Sequence, residues 1–145
     1  MPILNEMFSA AHGHGATLNG KPIHVSGLGE LSRAVMASGF PTTRHTLPEE
    51  LNNVRHWREM LWRVRDLRRF GSAALDLSYV ACGRLDGFWE RHIHSWDVLA
   101  GICLIREAGG TVTDYAGVVD KAVTGAEVVA SNALLHAEML AVLKR

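Results

Sequence analysis

The chain is predicted to fold as an α/β layered sandwich that begins with a small antiparallel hairpin or meander. Three features carry that prediction. The first 25 residues are short apolar stretches punctuated by glycine. From residue 34 onward, strand-like runs alternate with helical ones, the pattern of a layered α/β sheet. Between Val98 and Ile105 no side chain is polar, so this helix is apolar all round and is expected to be covered on every side.

Taken in order, Ile3 to Val25 reads as the meander, because Leu18-Asn19-Gly20-Lys21 carries the Asn-Gly pair that favours a type I′ hairpin turn. Ala34 to Ser38 is a short strand ended by Gly39-Phe40-Pro41. Thr46-Leu47-Pro48-Glu49 has the form of a capping box, predicting a helix to about Trp62 with Leu51, Val54, Trp57 and Leu61 on its packed face. Leu67 to Phe70 reads as a strand, Ser72 to Ala81 as a buried helix and Leu85 to Trp89 as a strand. Ser95 to Ala108 is the central helix, with Ser95 its N-cap and Gly109-Gly110 ending it through positive φ. Strands at Thr111 to Asp114 and Glu127 to Ala130 precede a last helix from about Asn132 to Lys144. Residues 1–30 are assigned to the antiparallel strands and residues 31–145 to the α/β domain.

A chain of 145 residues with 48% hydrophobic content can bury about two thirds of its unfolded surface. Fifteen basic and fifteen acidic residues cancel, so no global field draws the protein to nucleic acid or membrane. Cys82 and Cys103 both fall in apolar helical patterns, where a small buried thiol is expected rather than a disulfide, consistent with a reducing cytoplasmic setting. No apolar run approaches the roughly 18 residues of a membrane span, and no signal pattern opens the chain.

Asp97 is the foremost candidate for chemistry. It falls in the first turn of the central helix, where free backbone N–H groups and the positive end of the helix dipole favour an anion. Position alone favours the plainer reading, a carboxylate that only stabilises its helix.

The segment around Asp97 resembles the C-terminal signature of the inositol monophosphatase family. The matching residues are Trp96, Asp97, Ala100, Gly101, Glu107, Ala108, Gly109, Gly110 and Asp114. Residues 71 to 90 resemble the family's Gly-Ser/Thr-Ala-Ala helix and Phe-Trp-Glu strand. Glu6 to Ala10, with Gly13, Gly15-Ala16 and Leu18-Asn19-Gly20, matches its middle hairpin. Val128 to Leu143 matches its closing strand and helix, so nearly all of Pro2 to Lys144 is covered. The family's upstream Glu and its Asp-Pro-Leu-Asp-Gly-Thr motif, which supply most metal ligands, are absent from these residues. Met1 is read as following that half, which makes the chain resemble the C-terminal portion of a two-part enzyme.

The resemblance implies Mg²⁺-dependent hydrolysis of a phosphomonoester, most closely an inositol monophosphate. Histidinol phosphate or a sugar bisphosphate is the alternative substrate, and a non-catalytic dimerisation or interaction module the alternative role. It implies Asp97 as a metal ligand, Glu90 as a contact for substrate hydroxyls, and Ala73 with Ser72 at the substrate cleft. No catalytic residue is assigned. The absence of the other ligands implies little activity for this polypeptide alone. The expected partners are a phosphorylated small molecule and either a second copy or the missing N-terminal half, which would complete an open sheet edge.

Other polar residues are expected to take structural roles. Glu107 lies about 15 Å along the helix axis from Asp97, so it and Asp114 are expected to bond turn amides. Asp76 is expected to be a satisfied buried carboxylate, and Gly71 to serve close packing. His12, His14, His92 and His94 are spaced to reach one side of a strand, but no helical His pair or flanking Cys supports zinc. Arg63, Arg65, Arg68 and Arg69 form a basic cluster interrupted by Asp66 and without interleaved aromatics, so a solvated face or an interface is expected.

Overall fold

The computed structural model describes residues 1–42, 45–48 and 51–144. Strands β1 (Phe8–Ala10), β2 (Ala16–Leu18) and β3 (Lys21–Pro22) form the antiparallel meander in that order. Asn19 and Gly20 connect β2 to β3 with φ of 51° and 76°, the two positive values a type I′ turn requires. The Asn19 side chain also accepts from Met7 N at 2.8 Å and donates to Asn5 O at 2.8 Å, fixing the entry to β1.

The second sheet contains β4 (Val35–Ser38), β5 (Asp66–Arg68), β6 (Gly87–Arg91), β7 (Thr111–Thr113) and β8 (Glu127–Ser131), ordered β5-β4-β6-β8-β7. β4 runs parallel to both β5 and β6, and β8 is antiparallel to β6 and β7. Period-2 alternation divides the side chains between two cores. Ala37, Phe88, Val128 and Ala130 face helices α2 (Ala73–Ala81) and α3 (Ser95–Glu107). Met36, Trp89 and Val129 face α1 (Val54–Leu61) and α4 (His136–Leu143). The result is a helix–sheet–helix sandwich.

α2 and α3 approach so closely that a Cβ on Gly101 would lie 2.5 Å from the Leu77 Cβ. The meander docks on the end of α3. Glu107 accepts from Gly13 N at 2.9 Å and Gly15 N at 2.8 Å, and Val25 N donates to Ala108 O at 3.1 Å. Asp114 accepts from Val118 N at 2.7 Å, so both signature carboxylates do bond turn amides. Among the described residues no helix is long and apolar enough to cross a membrane.

Several local expectations need correction. The helix predicted from Thr46 starts only at Val54, because Asn53 adopts φ 71°. Residues 45–47 form a turn and bend, and Glu49 of the expected capping box lies outside the described residues. The packed face of α1 also differs: His56 and Met60 are buried, whereas Leu51, Val54 and Leu61 are exposed. The last helix starts at His136 rather than Asn132, since Ala133 has φ 69° and the Asn132 side chain accepts from Leu135 N at 3.1 Å.

α3 is not covered all round, for Leu99 and Ala100 are exposed. Its N-cap is His94, with Ser95 already helical. Gly109 ends the helix at φ +87°, but Gly110 has no positive φ. A Cβ on Gly110 would meet Ile105 and the Ser131 carbonyl at 2.6 Å, so packing fixes that glycine. Gly71 shows the reverse, with φ +86° and open space around it, so conformation rather than close packing explains it. Cys82 and Cys103 are free thiols, half-buried rather than buried.

Candidate active site

The three parallel strands end at one place. Gly39 follows β4, Arg69 follows β5, and Glu90 lies near the end of β6. Crevices beyond the carboxyl ends of parallel strands are where α/β sheets bind ligands. The N-termini of α2 and α3 start beside these ends, bringing free amides to the same crevice. Together they enclose a cavity of about 350 Å³ lined by Gly39, Ser72, Ala73, Asp76, Glu90 and Asp97. The four residues expected from the sequence, Ser72, Ala73, Glu90 and Asp97, are therefore neighbours of one space.

Each is placed by local rules. Ser72 is the N-cap of α2, its hydroxyl accepting from Leu75 N at 3.4 Å, and Ala73 is the first helical residue. Glu90 follows Phe88 by two, so the pleat turns it to the α2/α3 face. Its side chain lies against Gly39, where any Cβ would overlap the carboxylate. Asp97 is in the first turn of α3, and its Oδ2 accepts from His94 N at 3.0 Å. That bond leaves Oδ1 without a hydrogen bond among the described residues. The His94 and Trp96 rings stack beside it at 4.4 Å.

Sequence reasoning missed three contributors. Asp76 is not satisfied: it is 1% exposed and its Oδ1 has no hydrogen-bond partner. Burial pushes its pKa up to about 7, against the opposing charge of Arg69. Burial likewise raises Glu90 to about 7, with the Asp76 charge adding to the shift and Arg69 opposing it. Arg69 departs from its basic cluster. Arg63 pairs with Glu59 and Arg68 with Asp66, whereas Arg69 lies over the Phe40 ring and lines the cavity. Asn53 was invisible as a contributor: buried, it donates to Gly39 O at 2.6 Å and Ser38 Oγ at 2.9 Å. Its Oδ1 accepts from Trp89 Nε1 at 3.2 Å and Tyr115 OH at 3.3 Å. It thereby ties the loop after β4 to the strand that carries Glu90. No local pattern in the sequence marks it, because its partners lie on β4, β6 and at Tyr115.

A larger groove of about 620 Å³ lies between the meander and the outer faces of α2 and α3, but it is walled by Phe8, Leu75, Ala100 and Leu104. Its carboxylate, Glu6, is held in a bidentate pair with Arg84 at 2.6 and 2.9 Å. The chemistry-bearing cavity is the smaller one. Among the described residues no three His, Cys, Asp or Glu side chains converge to hold an ion. Mg²⁺ requires octahedral oxygen ligation, so these residues do not form a complete metal site, although Asp97 presents one carboxylate oxygen.

A family model described as the inositol monophosphatase family matches residues 1–145. The chain is 42% identical over 138 residues to an inositol-1-monophosphatase from Synechocystis, covering 95% of this chain and 47% of the relative. It is 41% identical over 116 residues to the Nus factor SuhB of Pseudomonas aeruginosa, covering 80% and 43% respectively. The structure of an inositol monophosphatase from Anabaena superposes with TM-score 0.93 at 43% identity, covering 99% of this chain and 56% of that one. The chain thus spans about half the length of the curated relatives it matches. With a shared fold, this degree of identity and a match along its whole length, the chain belongs to the inositol monophosphatase family.

Proposed function

We propose that this chain forms the alcohol-binding side of a phosphomonoesterase site whose preferred substrate is an inositol monophosphate. In the reaction a water oxygen bonds to phosphorus, and the ring oxygen leaves and takes up a proton. The observation that carries the reading is the convergence of Ser72, Ala73, Glu90 and Asp97 on one cavity in a member of this family. Glu90 would accept hydrogen bonds from ring hydroxyls, and Ala73 leaves room for the ring against the start of α2. The α3 N-terminus and Asp97 mark the phosphate end. A sugar bisphosphate fits less well, because its second phosphate would meet the Asp76 and Glu90 carboxylates.

Asp97 would give one oxygen to Mg²⁺, which in a complete site neutralises charge on the transferring phosphoryl group. The remaining ligands are not among the described residues, so this polypeptide by itself is expected to release little phosphate. Pairing with a complementary N-terminal half that supplies those ligands would be needed for turnover; a second copy docked through the open edges of the meander would serve association only.

The test is phosphate release from inositol 1-phosphate with Mg²⁺, by the chain alone and after mixing with the part of the Synechocystis relative that this chain does not match. Weak activity alone, restored by mixing and lost again in Asp97→Asn, is the expected result. Halves that associate without activity, or full turnover by the isolated chain, would overturn the proposal.

A further inference from the structure

We infer that Asp76 is a second acceptor for ligand hydroxyls beside Glu90, and so a specificity-determining residue for a polyol. The inference rests on the alcohol-binding reading above and extends it to a residue assigned no role so far. Three other carboxylates of this chain show what a structural carboxylate looks like here. Glu107 accepts from Gly13 N and Gly15 N, Asp114 from Val118 N, and Asp86 from Val35 N at 2.8 Å and Ser26 Oγ at 2.6 Å. Each is anchored by donors of the chain itself.

Asp76 is more buried than any of these and has no such donor at Oδ1. Glu90, 7% exposed, lies beside it. Both line the same cavity, and their charges couple. Leaving a buried acceptor unmade costs free energy, so the orphaned Asp76 Oδ1, beside Glu90 in the same cavity, marks a place where a donor arrives with a ligand. Strain of this kind persists where binding relieves it.

The chemistry of the donor follows from what surrounds the pair. No third Asp, Glu, His or Cys joins them in a group able to hold a metal among the described residues, and Arg69 already supplies positive charge nearby. Neutral hydroxyls on adjacent ring carbons can donate to both carboxylates without adding charge, and each carboxyl, when protonated, can donate back. A second phosphate at this end would be repelled. The pair therefore selects a polyol ring, with its phosphate directed away toward the α3 N-terminus.

The test is titration of the full chain with myo-inositol, following the backbone amide resonances of Gly39, Ala73 and Ala74, together with thermal melts. Asp76→Asn should weaken binding roughly tenfold or more while raising the melting temperature, since a buried, unpaired carboxylate is removed. A structural carboxylate would lower it. On the unaltered chain, a deoxy-inositol lacking one of the contacting hydroxyls should bind more weakly than myo-inositol, and Asp76→Asn should narrow that difference.

If Asp76→Asn binds as the parent does while Glu90→Gln loses affinity, the role of Asp76 is overturned and the alcohol-binding reading stands. If the parent chain binds no polyol, or Glu90→Gln changes nothing, the underlying reading fails and takes the inference with it. Shifts produced by Mg²⁺ alone and abolished by Asp76→Asn, or tighter binding of an amino alcohol than of myo-inositol, would show that the pair takes cations and would overturn the inference. A lower melting temperature in Asp76→Asn would do the same.

Discussion

The Glu90 carboxylate rests on Gly39: a Cβ at that position would overlap both carboxylate oxygens. The contact joins the end of β4 to the end of β6 and sets where an acid can project into the cavity. Because the overlapped atoms are the tip of a flexible side chain, Gly39→Ala should swing the carboxylate aside rather than break the sheet. Denaturant unfolding should show a loss below the roughly 1 to 3 kcal/mol common for overpacking. Calorimetric titration should show myo-inositol affinity falling severalfold. A large stability loss with unchanged affinity would show that Glu90 is not the group displaced.

The acid pair should give the chain an unusual pH response. A carboxyl whose folded pKa exceeds its unfolded value contributes stability that is present below the unfolded pKa and lost as pH rises through the folded one. For Asp76 that window runs from about 4 to about 7. His136, held to about 4 by burial, and His56, lowered by burial and by Arg91, act the other way, because acid must charge them. The total curve therefore mixes signs, and the difference between Asp76→Asn and the parent isolates the carboxyl. The stabilisation by Asp76→Asn should be greatest near pH 8 and shrink toward pH 4 in melts across that range.

Asn53 should prove to be a positioning residue. Asn53→Ala would leave the Trp89 indole N–H without its acceptor, free the Gly39 carbonyl, and place alanine at φ 71°. A loss of about 2 to 4 kcal/mol in urea is expected. Asn53→Gly, which tolerates that φ but still lacks the amide, should recover only the backbone part. If both variants unfold at the parent's midpoint, the hub has no energetic role.

The seam between α2 and α3 sets how closely their N-termini flank the cavity. Gly101→Ala would press against the Leu77 Cβ, a main-chain-proximal atom that cannot swing away. A destabilisation of about 1 to 3 kcal/mol is expected, with shifted amides at Ala73 and Asp97 if the helices part. A neutral substitution would mean the seam has slack.

Much of this could be read from the residues in order. The Asn19-Gly20 turn, the helix stop at Gly109 and the alternation of Phe88, Trp89 and Glu90 across β6 are local consequences of backbone sterics and the two-residue pleat. The Trp96-Asp97 signature likewise placed an acid in the first turn of α3. Local rules failed where distant partners decided the outcome. The late starts of α1 and α4 follow from left-handed Asn53 and Ala133, the first held by contacts to β4, β6 and Tyr115. Asp76 looked like any buried acid on a helix until its surroundings could be counted.

The residues in order were enough for most element types and for the family to which the chain belongs, because periodicity, turn chemistry and signature residues act over a few positions. That Gly39, Arg69, Asp76 and Glu90 share one cavity, and that Asp76 Oδ1 lacks a donor there, emerges only from the tertiary structure. Strand order and hydrogen-bond satisfaction depend on partners dozens of residues away, which no local pattern encodes.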